Sequence, residues 1–302
     1  MNDNGRPIPV LFDTDIGTDI DDALSLVYLL RHPRCELLGV TTVTGEPVRR
    51  AMLADAICRR VGREDVPIHS GAADPILIGQ MQKVAQQAEV LDQWPHRTQF
   101  AANTAVGFLR ETIRRRPGEI TLLATGPLTN IGLLFRLDPE IPRLLRSLVL
   151  MNGLFFTIPM PRWSGPREWN AYGDPHATAI VYGAPDLNVY AVGLDVTTRC
   201  VMPATECRER LKGEAFDLVA DAAEVWFRQY PAICFHDPLA AAAIFSPELL
   251  TFTPGTVTVE LGSGRLQGMT LFDPRVHERR HFAATDVNVG GFFAEYFRTA
   301  VG

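Results

Sequence analysis

The chain has 302 residues, a net charge of −6, a hydrophobic fraction of 46% and a charged fraction of 21%. These values are typical of a globular protein with a sizeable core, and the length suits one large α/β domain covering residues 1–302. A general nucleic-acid binder would carry a surplus of basic residues, so the negative charge disfavours that class. We therefore expect no nucleic-acid partner.

The cellular location is predicted from the cysteines and the apolar runs. There are five cysteines, an odd number, and no pair has CxxC spacing. A reducing compartment is the simplest interpretation. No apolar stretch approaches the roughly 18 residues of a membrane span, and residues 1–9 contain no signal-like apolar run. We expect a cytoplasmic protein with no membrane partner.

Short apolar runs alternate with helical segments along most of the chain. Buried strands are predicted at residues 8–12, 37–43, 66–69, 120–124, 148–151 and 187–192. Helices are predicted at residues 23–30, 47–60, 104–115, 175–182, 204–211, 214–229, 237–245 and 290–300. Residues 71–98 are predicted to form a loop with room for one short helix. The predicted fold class is α/β: an open, mainly parallel sheet flanked by helices (a Rossmann-like core), with a β-rich and helical C-terminal part.

The most unusual stretch of the chain follows its first predicted strand. Five carboxylates fall within ten residues, between that strand and the next helix: Asp13, Asp15, Asp19, Asp21 and Asp22. The carboxyl edge of an open α/β sheet is where ligands bind. Like charges packed this closely need a cation, a proton or a ligand to offset them. We therefore predict a divalent-metal site with oxygen ligands, in a strand–helix setting unlike an EF-hand.

Other polar residues stand at later strand ends. Glu46, Asn152 and the pair His236-Asp237 each follow an apolar run, as does the turn at residues 125–130. Taken alone, an aspartate at a helix start is usually only an N-cap. In a parallel sheet, however, most of these ends lie along one edge, which favours a shared site with the acidic stretch.

One zinc-type motif also occurs, His277-Glu278-Arg279-Arg280-His281. The pattern His-Glu-x-x-His binds zinc only when both histidines share one face of a helix. Here Pro274 lies just before it and the following residues are strand-like. We interpret the match as a chance occurrence.

Several motifs follow one another in order over residues 9–245. They are Asp13-Thr14-Asp15-Ile16-Gly17 with Asp21-Asp22-Ala23-Leu24, Thr41-Thr42-Val43-Thr44-Gly45, Gly126-Pro127-Leu128-Thr129-Asn130-Ile131, Glu168-Trp169-Asn170 with Asp174-Pro175, and His236-Asp237-Pro238-Leu239-Ala240. Taken together, these motifs resemble those of the calcium-dependent nucleoside hydrolases of the inosine-uridine-preferring type.

The resemblance implies a role for each matching residue. Asp15 would ligate Ca²⁺ and act as general base on the bound water, and His236 would protonate the departing base. Asp22, the backbone carbonyl of Thr129 and Asp237 would complete the protein ligands of the metal. The implied substrate contacts are Asp21, Glu46, Asn152, Arg162, Glu168 and Asn170. The resemblance further implies a nucleoside substrate, a part in purine and pyrimidine salvage, and a homodimer or homotetramer.

Elementary chemistry agrees with these roles. Cleavage of an N-glycosidic bond builds positive charge on the ribose ring, which surrounding carboxylates stabilise. The leaving base is a poor anion, so a proton donor helps its departure, and the ordinary pKa of histidine suits that task near neutral pH.

The chain departs from the family pattern at some positions. The acidic stretch is longer, by Thr18-Asp19 or their neighbours, which leaves open which of Asp19, Asp21 and Asp22 faces the metal. Glu46 and Arg162 stand where many members have asparagines that contact the substrate. The alternatives are a nucleoside- or ribose-binding protein with a vestigial metal site, a hydrolase of a modified riboside and, less favoured, a magnesium-dependent Asp-x-Asp phosphatase.

Overall fold

The computed structural model describes residues 6–156, 165–276 and 278–301. Within these ranges the strands are β1 (Ile8–Thr14), β2 (Cys35–Thr42), β3 (Ile68–Ser70), β4 (Thr121–Ala124), β5 (Ser147–Leu150), β6 (Asn188–Ala191), β7 (Val201–Pro203), β8 (Ala232–Cys234), β9 (Leu250–Val259), β10 (Thr270–Asp273) and β11 (Arg280–Val287). The α-helices are α1 (Asp21–Arg31), α2 (Pro47–Arg60), α3 (Ala105–Arg115), α4 (Thr129–Leu137), α5 (Ile141–Leu144), α6 (Trp169–Gly173), α7 (Pro175–Tyr182), α8 (Leu194–Thr197), α9 (Ala204–Arg210), α10 (Asp217–Phe227), α11 (His236–Phe245) and α12 (Val289–Ala300). Short 3₁₀ helices cover Gln86–Gln93 and Pro247–Leu249.

Nine of the strands form one sheet in the order β10-β9-β11-β6-β5-β4-β1-β2-β3. The neighbours from β3 through β6 to β11 pair in parallel, whereas β9 pairs antiparallel with β11 and β10. The predicted mainly parallel α/β sheet with a β-rich and helical C-terminal part is therefore confirmed. The remaining described strands, β7 and β8, form a small antiparallel pair.

Strand β1 lies in the interior of the sheet, between β2 and β4. All seven of its residues are buried, as expected for a parallel strand that has helices on both faces. Its register places Asp13 opposite Thr41 of β2 and Ala124 of β4. The acidic stretch therefore leaves the sheet at its carboxyl edge, beside the ends of both neighbours.

Two apolar cores cover the two faces of the sheet. One contains the buried faces of α1, α2, α10, α11 and α12. The other contains those of α3, α4 and α7. Helices α1 and α11 pack against each other, which brings the acidic first turn of α1 beside His236 and Asp237 at the start of α11. This contact creates the candidate site.

Two further sequence predictions concern the loop and the zinc-type motif. The segment 71–98 is mostly irregular and contains one 3₁₀ helix, as predicted. His281 lies in strand β11 and its Nδ1 accepts a hydrogen bond from the Val257 backbone N–H at 2.9 Å. His277 lies outside the described residues. The helix that a zinc protease motif requires is therefore not formed at His281. In the described part of the chain, no helix is long and apolar enough to cross a membrane.

Candidate active site

A cavity of about 580 Å³ opens at the carboxyl ends of the central strands. This volume lies within the usual range of small-molecule sites. One wall carries the acidic stretch, through Asp15, Asp19, Asp21 and Asp22. The other walls come from the turn after β4, from α6, from the start of α11 and from the loop that contains Gln82.

Asp15 directly follows β1 and is buried at 6% exposure. Its Oδ2 accepts a hydrogen bond from Gln82 Nε2 at 2.7 Å. Gly126, in the turn after β4, lies so close that a Cβ on it would stand 2.9 Å from Asp15 Oδ1. The glycine is thus required for the turn to approach the carboxylate. Burial raises the pKa of Asp15, and the nearby Arg50 guanidinium opposes that rise.

A group of three buried carboxylates forms the most acidic part of the cavity. Oxygen atoms of Asp21, Asp22 and Asp237 all lie within 4.8 Å of one another. Burial raises the pKa of each well above its ordinary value, and repulsion from the neighbouring acids of the cavity, Asp15 among them, adds to the rise. An all-oxygen group of like charges removed from water fits a hard divalent cation. Asp15 and Asp19 line the same cavity without belonging to this group.

Hydroxyl groups fix Asp22 within the cluster. The side chains of Thr14 and Thr125 both donate hydrogen bonds to Asp22 Oδ1, the second at 2.9 Å. The backbone N–H of Asp237 donates to Asp21 Oδ2 at 3.0 Å, which ties α11 to α1. The geometry of the cluster is therefore determined by strand ends and helix starts.

Asp13 has a different surrounding from the other acids. Its Oδ1 accepts hydrogen bonds from the Thr41 hydroxyl and, at 2.8 Å, from Asn130 Nδ2. These bonds join β1 to β2 and α4 beneath the cavity, and burial raises the Asp13 pKa to about 7.

Glu168 and Asn170 form a polar wall at the start of α6. The Glu168 carboxylate caps α6 by accepting from the backbone N–H groups of Asn170 (2.6 Å) and Ala171 (2.8 Å). Asn170 Nδ2 donates to the carbonyl oxygens of Thr125 (2.7 Å) and Met151 (3.0 Å). Because both carbonyls need a donor, the amide is oriented and its Oδ1 is kept as an acceptor.

His236 lines the cavity from the first residue of α11. Its Nδ1 lies 2.7 Å from the Thr197 hydroxyl. Burial lowers the pKa of His236 to about 4, so the imidazole is uncharged at neutral pH. The ordinary histidine pKa, from which proton donation was predicted, therefore does not describe this buried ring.

The rim of the cavity is more apolar than its floor. Trp226 and Tyr230 stack with ring centroids 4.0 Å apart, and both line the cavity. Met81 and Val84 also line it and are 38% and 47% exposed. A flat aromatic ring can pack on such a rim while a polyol contacts the acidic floor.

Comparison with known proteins identifies the family. The family model described as "Inosine-uridine preferring nucleoside hydrolase" matches residues 10–294. The chain belongs to this family. It is 30% identical to Uridine nucleosidase 1 of Arabidopsis thaliana over 290 residues, covering 89% of this chain and 83% of that protein. It is also 30% identical to the pyrimidine-specific ribonucleoside hydrolase RihA of Citrobacter koseri over 282 residues, 88% of each chain. A solved purine-preferring ribonucleoside hydrolase from Gardnerella vaginalis superposes with a TM-score of 0.83 at 25% identity, over 97% of this chain and 98% of that one.

The structure of this nucleoside hydrolase brings most of the predicted site residues together. The cavity is lined by Asp15, Asp21, Asp22, Glu168, Asn170, His236 and Asp237. These residues come from three separate parts of the sequence, so their convergence reflects the fold.

The resemblance implied the backbone carbonyl of Thr129 as a metal ligand. Thr129 begins α4, where its hydroxyl donates to Asp174 Oδ2 at 2.8 Å, and it does not line the cavity. The threonine that reaches the cavity from this turn is Thr125, whose backbone N–H bonds to the Asp13 carbonyl and continues the strand pairing.

Glu46 and Asn152 also lie away from the cavity lining. Glu46 Oε2 accepts from the Ala85 backbone N–H at 2.8 Å, and its Oε1 lies 3.5 Å from Arg49. Asn152 is buried, and its Oδ1 accepts a hydrogen bond from the Tyr182 hydroxyl at 3.2 Å. Neither contact supports the predicted substrate role. The third such residue, Arg162, lies outside the described residues.

Two residues important to the site were not predicted from the sequence. Arg50 is fully buried and donates to the Gly45 carbonyl oxygen at 2.8 Å and to the backbone of the acidic turn. Its spacing from Leu53, Ala54 and Ile57 puts it on the apolar face of α2, a signal that the helix periodicity contained. Gln82 lies in an irregular, glutamine-rich loop, and no sequence signal distinguished it from its neighbours.

Proposed function

We propose that this nucleoside hydrolase cleaves the N-glycosidic bond of ribonucleosides, releasing ribose and the free base, with Ca²⁺ as cofactor. The observation that carries the proposal is the placement of the Asp21, Asp22 and Asp237 carboxylates in one cavity with Asp15 and His236. The reaction needs a cation site, a general base and a group that can protonate the leaving base. The carboxylate group, Asp15 and the His236 imidazole stand in one cavity for these three tasks.

The metal would be held by Asp22 and Asp237, which belong both to the predicted ligand set and to the observed three-carboxylate group. Asp21 takes the third place in that group, and Asp15 lines the cavity beside it. Thr125 replaces Thr129 in the proposal as the source of a carbonyl oxygen. Carboxylates with a carbonyl suit calcium, which accepts roughly six to eight oxygens in flexible geometry. When bound, the cation neutralises the cluster and polarises water and sugar hydroxyls.

Asn170 and Glu168 support a sugar-binding wall. Asn170 Oδ1 is available as an acceptor because its Nδ2 is committed to two carbonyls. Glu168 is fixed by three backbone N–H groups, so its carboxylate is held rigidly for an additional hydroxyl. Negative charge on this wall and on the floor stabilises the positive charge of the ribosyl transition state.

Proton movements are assigned to two side chains. Water attacks the anomeric carbon while Asp15 accepts its proton, and the electron pair of the broken C–N bond passes to the base nitrogen. His236 donates a proton to that nitrogen. Because burial keeps the His236 ring neutral at pH 7 in the free protein, this role requires protonation in the substrate complex. Negative charge building on the base favours it by raising the pKa of the ring.

Uridine is the first substrate to test, since the two relatives named from sequence are a uridine nucleosidase and a pyrimidine-specific ribonucleoside hydrolase. The assay incubates purified protein with uridine, cytidine, inosine and adenosine, with and without a calcium chelator, and measures free reducing sugar. We expect ribose release that the chelator abolishes and added Ca²⁺ restores. Asp15→Asn is expected to remove nearly all turnover, while Asp92→Asn, an exposed acid outside the cavity, controls for charge.

The alternatives make different predictions in the same assay. Tight nucleoside binding without ribose release would favour the binding-protein alternative. Activity confined to an altered sugar would favour a modified riboside. Phosphate release from a phosphoester would favour the magnesium-dependent phosphatase. The homodimer or homotetramer and the cytoplasmic location stay predictions, the first to be checked by sedimentation.

A further inference from the structure

Gln82 is the point at which the loop of residues 80–85 enters the active-site cavity. Its side chain is 8% exposed, whereas the side chains on either side of it, Met81 and Lys83, are exposed. An uncharged polar residue that is buried between exposed neighbours is held there by specific partners. All of its side-chain partners belong to the site.

Both the nitrogen and the oxygen of the Gln82 side-chain amide form hydrogen bonds. Nε2 donates to Asp15 Oδ2 at 2.7 Å and to Thr18 Oγ1 at 2.8 Å. Oε1 accepts a hydrogen bond from Trp169 Nε1. An indole N–H can only donate, so it requires the oxygen end of the amide. Trp169 therefore selects the orientation in which the Gln82 N–H groups face Asp15.

The loop itself is held firmly against the acidic turn. Ala85 N–H donates to Glu46 Oε2 at 2.8 Å, and Gln87 N–H donates to the Gly17 carbonyl oxygen at 2.9 Å. A Cβ on Gly45 would stand 2.4 Å from the Gln82 carbonyl oxygen, so only glycine permits this approach. Glu46, which does not reach the cavity, thus has a role in placing the loop that carries Gln82.

We infer that Gln82 is a positioning residue for Asp15, which it holds by Oδ2 in one rotation about the Cβ–Cγ bond, and that Trp169 fixes Gln82 for this task. The inference rests on the proposed function. With Oδ2 held by Gln82, the Asp15 carboxylate keeps one orientation toward the attacking water. Trp169 lies between Glu168 and Asn170, so the same chain of bonds connects the general base to the sugar-binding wall.

The expected loss in kcat follows from how little displacement of a reacting group catalysis tolerates. A displacement of about 1 Å in a reacting group can cost on the order of 100-fold in rate. Losing one orienting bond while the metal cluster stays intact should therefore lower kcat by about 10–100-fold with KM changed less than about threefold. A purely structural residue would instead lower the melting temperature and the affinity for metal.

The test is a double-mutant cycle on the calcium-loaded full chain with uridine or the best nucleoside found. The variants are Gln82→Ala, Trp169→Phe, which removes the N–H but keeps an aromatic ring, and the double variant. Gln93→Ala, an exposed glutamine near the same loop and away from the cavity, is the matched control. Calcium affinity of the metal-free proteins is measured by calorimetry, and the Asp15 rotation by a crystal structure of Gln82→Ala.

The expected result is a loss in kcat for both single variants, no further loss in the double variant, and calcium affinity within about threefold of wild type. Additive losses, an unchanged kcat, or a loss confined to KM or to calcium affinity would overturn the inference. If Gln82→Ala fails to fold, Gln82→Met answers the same question, because it keeps the length of the side chain and removes the donor to Asp15. A wild-type protein that turns over no nucleoside overturns the proposed function as well, whereas an active wild type with an equally active Gln82→Ala overturns this inference alone.

Discussion

Arg50 lies fully buried beneath the acidic turn and donates a hydrogen bond to the backbone carbonyl oxygen of Asp15. It also donates to the Ile16 carbonyl and to the Thr18 hydroxyl, both at 3.0 Å. A single guanidinium thereby determines the path of the chain from β1 into the acidic stretch. Its positive charge also opposes the burial-driven rise in the pKa of Asp15.

Replacing Arg50 should destabilise the protein far more than replacing its neighbour. Arg50→Ala leaves buried carbonyl oxygens unpaired and removes a buried cation, which typically costs roughly 3–5 kcal/mol. Arg50→Lys keeps the charge but not the planar set of donors, so an intermediate loss is expected. Arg49→Ala is the control, because the Arg49 side chain is 45% exposed and its ion pair with Glu46 is worth at most about 1 kcal/mol. Urea unfolding measures all three, and equal stability of Arg50→Ala and Arg49→Ala would contradict the assigned role.

Removing one carboxylate from the cluster should have opposite effects with and without metal. In the metal-free protein, Asp22→Asn relieves repulsion among buried like charges, so its melting temperature should equal or exceed that of the wild type. Its Oδ1 can still accept from Thr14 and Thr125. Calcium at about 100 times its Kd stabilises the wild type by about 2.7 kcal/mol, and this gain should be lost in the variant. Thermal melts with chelator, Ca²⁺ and Mg²⁺ provide the measurement, and a wild-type melt that Ca²⁺ does not move would contradict the metal site.

Features of the fold and the site could be predicted from the sequence where a local pattern of residues marks them. The acidic stretch was identified as a metal site because carboxylates concentrated directly after a strand repel one another unless a bound cation, proton or ligand offsets their charge. The roles of Asp15, Asp21 and Asp22 within it came from the family resemblance. Glu168 and Asn170 came from the family resemblance. The mainly parallel sheet followed from the alternation of apolar runs with helical segments.

The sequence was least informative where tertiary packing decides the direction of a side chain. Thr125 and Thr129 stand four residues apart, and of the two only Thr125 lines the cavity. Gln82 is 67 residues from Asp15 in the chain, so no local pattern could pair them. The low pKa of His236 is set by burial, a property of the folded protein.

His236→Ala should reduce activity most on substrates with a poor leaving group. Loss of a proton donor typically costs about 10²–10⁴-fold, so kcat/KM for uridine should fall within that range. A 4-nitrophenyl riboside needs no protonation because its leaving group is a stable anion, and its hydrolysis should change little. The two substrates are compared on the same preparations, with His96→Ala, outside the cavity lining, as the control. An equal loss on both substrates would contradict the proton-donor role.

His32 should contribute to loss of stability in mild acid. It packs on Phe245 with ring centroids 3.8 Å apart, and burial lowers its pKa to about 4. Glu295 opposes this shift, while Arg34 and Arg298 add to it. In an unfolded chain this histidine takes up a proton near pH 6.5. The contribution of His32 to the free energy of unfolding is therefore complete above that pH and is lost as the pH falls toward 4.

The variant His32→Gln isolates this contribution. Glutamine does not titrate, so the variant's free energy of unfolding should fall less steeply between pH 6.5 and pH 4, by up to about 1.4 kcal/mol per pH unit. The total difference is at most about 3 kcal/mol. The variant should be the less stable protein at pH 8, because it loses the stacking on Phe245, and the gap should narrow in acid. Urea unfolding at a series of pH values measures the difference, with His96→Gln as the control. Parallel curves of the free energy of unfolding against pH for wild type and His32→Gln would show that the pKa of His32 does not change on folding.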